Sequence, residues 1–224
     1  MIVGLGHPRC GTGFAADLLY QNGLDVRHEE IGSDGIVSWM QVARRPRVPW
    51  GRGIAEYPSK STVFLVARSP LRALNSVATE NQQIRSVGFR SQLIWDRRGL
   101  DIFANDNQTG EAGHYDFLGW AVMSMAYWFD ICLEDIERLH GSAVVFRVEH
   151  PEDDAKLSTL LGRPISRSGK NLWRNGYGPH KVSARLDYPL AELARVSKVH
   201  LAKLVDITRR LGYPADAAEL ASYV

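Results

Sequence analysis

The chain has 224 residues, 45% of them hydrophobic and 23% charged, with a formal net charge of +2 at pH 7. That balance is ordinary for a globular protein with a full core, so one domain over residues 1–224 is expected. A charge of +2 gives no argument for nucleic acid as a partner, no stretch approaches a membrane span, and two cysteines, Cys10 and Cys132, do not make a disulfide framework.

Ile2 to Gly6 reads as a short buried strand. The run from Met1 to Leu5 is too short for a signal-peptide core and has no basic flank, so a cytoplasmic location is expected. Thr12 to Gln21 reads as a helix with Ala15, Leu18 and Leu19 along one side. A second strand is expected around Leu24 to His28 and a helix around Gly35 to Ala43. Arg44 to Gly53 is too rich in proline and glycine for either element. Ser61 to Ala67 (STVFLVA) is continuous, β-branched and apolar, the pattern of a parallel strand covered on both faces. Pro70 suits the first turn of a following helix, and the polar stretch Asp101 to His114 reads as a loop. Leu118, Val122, Met125, Phe129, Cys132, Ile136 and Leu139 recur at helical spacing, which predicts a long core helix over Asp116 to Leu139. Ala143 to Val148 reads as another strand, residues 161–183 as irregular, and Leu190 to Leu211 as the last long helix. Strands alternating with helices predict an α/β fold of three layers, with helices on a central, mainly parallel sheet.

The first turn, Gly4 to Phe14 (GLGHPRCGTGF), joins a strand to a helix N-terminus. Inward-pointing N–H groups and the helix dipole make such a turn an anion cradle. Gly6, Gly11 and Gly13 permit close approach of the backbone, Arg9 adds a fixed positive charge and Thr12 a hydroxyl. The letters do not spell a triphosphatase loop, because no lysine follows Gly11, and they lack the third glycine of a dinucleotide fingerprint. A phosphatase loop on Cys10 needs an arginine where Ala16 stands. A tight turn without a ligand is the plain alternative.

The segment GHPRCGTGF resembles the 5′-phosphosulfate loop of sulfotransferases that use 3′-phosphoadenosine-5′-phosphosulfate (PAPS), written P-[KR]-[SA]-G-T-[TS]. Pro8, Arg9, Gly11 and Thr12 fall on the pattern, Cys10 stands for the usual serine and Gly13 for the second hydroxyl residue. The resemblance implies a P-loop nucleotide-hydrolase-like sulfotransferase fold, with Pro8, Arg9, Cys10, Gly11, Thr12, Gly13 and Phe14 around the phosphosulfate. Val63 to Ser76 is similar to the family's 3′-phosphate element, in which a strand ends in arginine and a serine follows eight positions later; here these are Arg68 and Ser76. An arginine fork at a strand's carboxyl end suits a phosphate. Val144 to Glu149 is similar to the family's late strand and reads as structural. Trp120, Tyr127 and Trp128 are candidates for an adenine-stacking face, against a core role. The family's closing loop resembles Arg174 to Lys181, where Lys181 or Arg174 would complete the 3′-phosphate site; Ser168 to Lys170 is another basic candidate.

Sulfuryl transfer to a hydroxyl requires a base, in-line placement and positive charge at the leaving phosphate. Arg9 suits the last task. For the base, Leu24 to Ile31 carries His28, Glu29 and Glu30. Glu30 lies 21 positions after Arg9, a spacing similar to that of the catalytic glutamate in protein-tyrosine sulfotransferases. Glu29 fits bacterial relatives with a His-Glu pair, and His28 fits the histidine base of cytosolic members. If residues 26–30 are extended, Glu29 and Glu30 face opposite ways and only one can reach the acceptor.

The expected activity is therefore transfer from PAPS to a hydroxyl-bearing acceptor, such as a sugar, leaving 3′-phosphoadenosine-5′-phosphate (PAP) and requiring no metal. Arg44, Arg45, Arg47 and Arg52, with Trp39 and Trp50, are candidates to meet an acidic or sugar acceptor, or simply form a solvated loop and core. Two other readings stay open. One is a nucleotide kinase. The other is a non-catalytic nucleotide binder, kept alive by Cys10, Gly13 and Glu80, the last standing where tyrosine sulfotransferases have a second arginine.

Overall fold

A computed structural model describes residues 1–39, 61–102, 116–167 and 185–224. In chain order the elements are β1 (Ile2–Gly6), α1 (Thr12–Gln21), β2 (Val26–His28), β3 (Gly35–Ser38), β4 (Thr62–Ala67), α2 (Pro70–Glu80) and α3 (Ile84–Arg98). They continue with α4 (Phe117–His140), β5 (Val145–Arg147), α5 (Asp153–Leu161), a 3₁₀ helix (Leu190–Arg195), α6 (Lys198–Arg210) and α7 (Pro214–Ala221). The chain divides into two compact units, Met1–Arg68 with Cys132–Gly176 and Ser69–Ile131 with Tyr177–Val224.

The first unit carries a five-stranded sheet in the order β2-β3-β1-β4-β5, with every described pairing parallel. The α/β class with a parallel central sheet flanked by helices is therefore present. Apolar runs on both faces of β1 and β4 explain their central places, since a strand covered on both sides has no polar face to offer. Phe14, Leu18 and Val26 meet Phe64 and Phe146 in one core, where Phe14 and Phe146 stack at 6.4 Å.

The helix expected at Gly35 to Ala43 is instead strand β3 over Gly35–Ser38, all four residues buried between β1 and β2. Ile36 and Val37 are β-branched and fill both faces of the sheet. Gly35 lets the strand approach β1, since a Cβ there would come within 1.9 Å of the Ile2 carbonyl oxygen. Residues 40–43 lie outside the described residues. The long helix expected over Leu190 to Leu211 is broken at Val196, which is extended (ψ 149°), into the 3₁₀ helix and α6. Helices α3, α5 and α7 were not anticipated from the sequence.

The second unit is helical. Ser69 caps α2 by accepting the Arg72 N–H at 3.1 Å and donates to the Asp216 carboxylate of α7. Arg98, Lys203 and Arg210 surround Asp130 at 3.1, 2.8 and 3.3 Å. Trp120, Tyr127 and Trp128 are buried: Trp120 meets Phe117 edge-on, Trp128 lies against Phe89, and the Tyr127 hydroxyl is 2.9 Å from His200 Nδ1. They serve the core, so the adenine-stacking alternative does not hold for them. Among the described residues no helix is long and apolar enough to cross a membrane.

Candidate functional site

Strand connections leave β1 and β4 in opposite directions. From β1 the chain passes through α1 to β2 on one side, and from β4 it proceeds to β5 on the other. In a parallel sheet such a reversal opens a crevice beyond the carboxyl ends of the two strands. The turn 7–11 leaves β1 there, and Arg68 directly follows Ala67 at the end of β4. Gly6 and Val66 are register partners, so the two strand ends are level.

The turn is set by two left-handed residues, Arg9 (φ 67°) and Gly11 (φ 96°). His7 Nδ1–H donates to the Pro8 carbonyl at 2.7 Å, and Cys10 N–H to the His7 carbonyl at 3.1 Å. Gly11 is the N-cap of α1, its carbonyl accepting from Ala15 at 3.0 Å, and among the described residues no side chain caps the helix start. The first N–H groups of α1 thus lack an acceptor within the helix, and the dipole adds positive potential. Glycine is required at 11: a Cβ would sit 2.6 Å from Val148 Cγ1 as well as holding φ at 96°. Gly11→Ala should cost about 2 kcal/mol, from left-handed strain plus overpacking, measurable as a lowered urea midpoint.

Pro8 and Cys10 are buried and Arg9 is half-buried. Neither Cys10, whose Sγ lies 4.0 Å from His7 Nδ1, nor Cys132 is in a disulfide. The Phe14 ring belongs to the core, where the Arg167 guanidinium lies 5.2 Å from its centroid, so Phe14 offers a ligand its backbone alone. Thr12 Oγ1 is 3.0 Å from His28 Nε2. A Cβ on Gly13 would face the same imidazole at 3.9 Å, so His28 stands against the position where the family pattern has its second hydroxyl.

The three candidate bases separate clearly. Glu30 is exposed (55%) and pairs with Arg27 at 3.9 Å, while Arg27 also binds Asp25 at 2.8 Å. Glu29 is left-handed (φ 59°), so the strand ends at His28 and the alternation expected over residues 26–30 is broken. Its side chain is 19% exposed, with Oε1 3.3 Å from His28 Nε2. Ser38 Oγ donates to Glu29 Oε2, and the Trp39 N–H to Oε1 at 3.2 Å. Burial pushes this carboxyl up to about 7, against the pull of the Ser38 and Trp39 hydrogen bonds. Burial lowers the His28 imidazole, and Asp17 opposes that shift. Glu29, His28 and Thr12 therefore form one connected group beside the first turn of α1, and Glu30 lies apart.

Arg68 Nε is buried and has no hydrogen-bond partner among the described residues, with Glu149 Oε1 at 3.4 Å. Glu149 is positioned by the loop after β5, which Arg167 clamps by donating to the Val148 and His150 carbonyls at 2.7 and 3.0 Å and to Asp154 at 2.9 Å. Arg147 braces the same loop on Asp153; burial raises that carboxyl, but the hydrogen bonds from Arg147 and Lys156 outweigh burial and hold it at about 2. The late-strand glutamate expected to be structural thus touches the arginine at the end of β4. Ser76 is half-buried on α2 in the second unit. Lys181, Arg174, Ser168, Lys170, Trp50 and Arg44, Arg45, Arg47 and Arg52 lie outside the described residues.

Sequence reasoning missed Ser38, because the helix expected there hid a strand end. It also missed Arg90, which meets Glu80 at 2.9 Å in the second unit. Glu80 is accordingly neutralised inside the joint between α2 and α3. No protein-family model, no curated protein and no solved structure matches the chain.

Proposed function

We propose that this protein is a PAPS-dependent sulfotransferase acting on a hydroxyl-bearing acceptor, a sugar or another small molecule, in the cytoplasm. The observation that carries the reading is the placement of Arg9 and Arg68 just beyond the level carboxyl ends of neighbouring parallel strands, at the point where the connections reverse. Two separated cations at such a crevice suit a ligand with two separated phosphate groups. The donor set fits: among the described residues Arg68 Nε is buried without a hydrogen-bond partner, and no side chain caps the α1 N-terminus.

When bound, PAPS supplies a sulfuryl group already attached to a phosphate that leaves as a stable anion. Arg9 and the N–H groups of the first turn of α1 hold the anionic oxygens of the 5′ end, and Arg68 holds the 3′-phosphate. The Glu29 carboxylate takes the proton from the acceptor hydroxyl. At about 7 it is substantially ionised at neutral pH yet basic enough to accept that proton, the balance a general base needs. His28 steadies Glu29 from one side and is itself held by Thr12.

Calorimetric titration with PAP tests the reading. Wild type should bind it, Arg68→Ala should weaken it by about 10- to 100-fold, as expected for loss of a charge-assisted contact, and ATP should bind weakly. Equal binding of ATP with magnesium, with no preference for the 3′-phosphate, would overturn the sulfotransferase and promote the kinase.

A further inference from the structure

We propose that Ser38 is the positioning residue of the Glu29 carboxyl, its hydroxyl holding Oε2 so that Oε1 stays turned to His28. The consequence for rate rests on the sulfotransferase reading; the placement of the carboxyl rests on geometry alone.

Glu29 takes a left-handed backbone that non-glycine residues seldom adopt. Such strain persists where the surroundings over-determine it, and it gathers at functional sites. Here the fixing is complete at both ends of the residue. The Glu29 N–H donates to the Val37 carbonyl at 3.1 Å, the Trp39 N–H reaches Oε1 at 3.2 Å, and Ser38 holds Oε2. All of these partners come from the end of β3. The sheet sets their position from two sides, because Ser38 registers with Leu5 of β1 and Val37 with His28 of β2.

Ser38 is fully buried at the end of a strand whose other members are Gly35, Ile36 and Val37. A hydroxyl buried there must be hydrogen-bonded to avoid a desolvation cost, and the Glu29 carboxyl accepts from it. Of the described groups around that carboxyl, His28 on its own strand titrates and Asp17 of α1 acts on His28; Arg27, Asp25 and Glu30 form the exposed pairs already described. From β3 come Ser38 and a backbone N–H, neither of which titrates near neutral pH. Ser38 is therefore the fixed donor that favours the carboxylate, and removing it favours the protonated acid.

The test is a side-chain carboxyl ¹³C NMR titration of Glu29 in the ligand-free protein, with the resonance assigned by its loss in Glu29→Gln. In Ser38→Ala the midpoint should rise by about one pH unit, and Ser38→Thr, which keeps the hydroxyl, should restore it. Should Ser38→Ala fail to fold, Ser38→Cys keeps the volume with a weaker donor and should give a smaller upward shift. In turnover assays, Ser38→Ala should lower kcat at pH 7 about fivefold, as the ionised fraction of a base displaced by about one pH unit requires, move the rising limb of the pH profile to higher pH and leave KM for the acceptor in place. An unchanged Glu29 midpoint in whichever of the alanine and cysteine variants folds would overturn the assignment. If PAP fails to bind wild type while the midpoint still moves, the sulfotransferase reading falls and Ser38 keeps its role toward Glu29.

Discussion

Glu29→Gln should lower kcat by about 10²- to 10⁴-fold, the usual contribution of a general base, and leave PAP affinity nearly unchanged, because no cation is removed. A second readout is independent of the reaction. The folded carboxyl titrates at about 7 against an ordinary value of 4.5. Folding therefore favours the protonated acid: that stabilisation is fully present below about 4.5 and is lost as pH rises through about 7. Above that range the buried carboxylate costs up to about 3 kcal/mol, at 1.4 kcal/mol per pH unit of displacement. Glutamine carries no charge, so Glu29→Gln should be more stable than wild type at pH 8 and should lose that advantage near pH 4. The gain falls short of the full figure because the new amide turns an N–H₂ toward one of the present donors. Urea denaturation at pH 5 and pH 8 measures it. The same stability change at both values would contradict a burial-raised carboxyl, and undiminished kcat would return the proton transfer to Glu30 or His28.

Arg90→Ala should cost about 3–5 kcal/mol, because it strands a buried carboxylate. The Arg90 side chain is 0% exposed and its Nη1 lies 2.9 Å from Glu80 Oε2. The same Nη1 donates to Ser86 Oγ at 2.8 Å, Nη2 donates to Asn81 Oδ1, and Ser86 donates to the other Glu80 oxygen. Removing the guanidinium leaves Glu80, among the described residues, the Ser86 hydroxyl for its charge. The double variant Glu80→Leu/Arg90→Met should recover most of the loss, since apolar replacement of a whole buried pair is often neutral. A thermal melt of the three proteins decides it; a single variant as stable as wild type would mean that Glu80 finds solvent. Functionally, the paired Glu80 takes away one of the reasons for reading the chain as a degenerate binder.

Elements whose own residues decide their state were legible. β1 and β4 are continuous apolar runs that no amphipathic helix would show, and α4 carries a clear helical stripe. β3 was not legible, because only Ile36 and Val37 separate Gly35 from Ser38, and four residues cannot display a period. Its strand character comes from the two neighbours it pairs with. The arginine at each strand end followed from motif spacing. The choice between Glu29 and Glu30 did not, because it turns on one backbone angle, φ 59° at Glu29, imposed by contacts with β3. Ser38 was hidden for the same reason: its part depends on a register that only the folded sheet supplies.

β5 pairs with β4 although α2, α3 and α4 intervene in the chain. During synthesis, at about 5–20 residues per second, the β4 edge therefore stands open for several seconds before residue 145 leaves the ribosome. The open edge carries Val63-Phe64-Leu65-Val66-Ala67, uncharged, β-prone and free of proline. That is the profile of an aggregation template. A nascent chain halted before β5 is thus the form of this protein most in need of a chaperone, and slowing translation between residues 67 and 145 should cost soluble yield more than slowing it after α5.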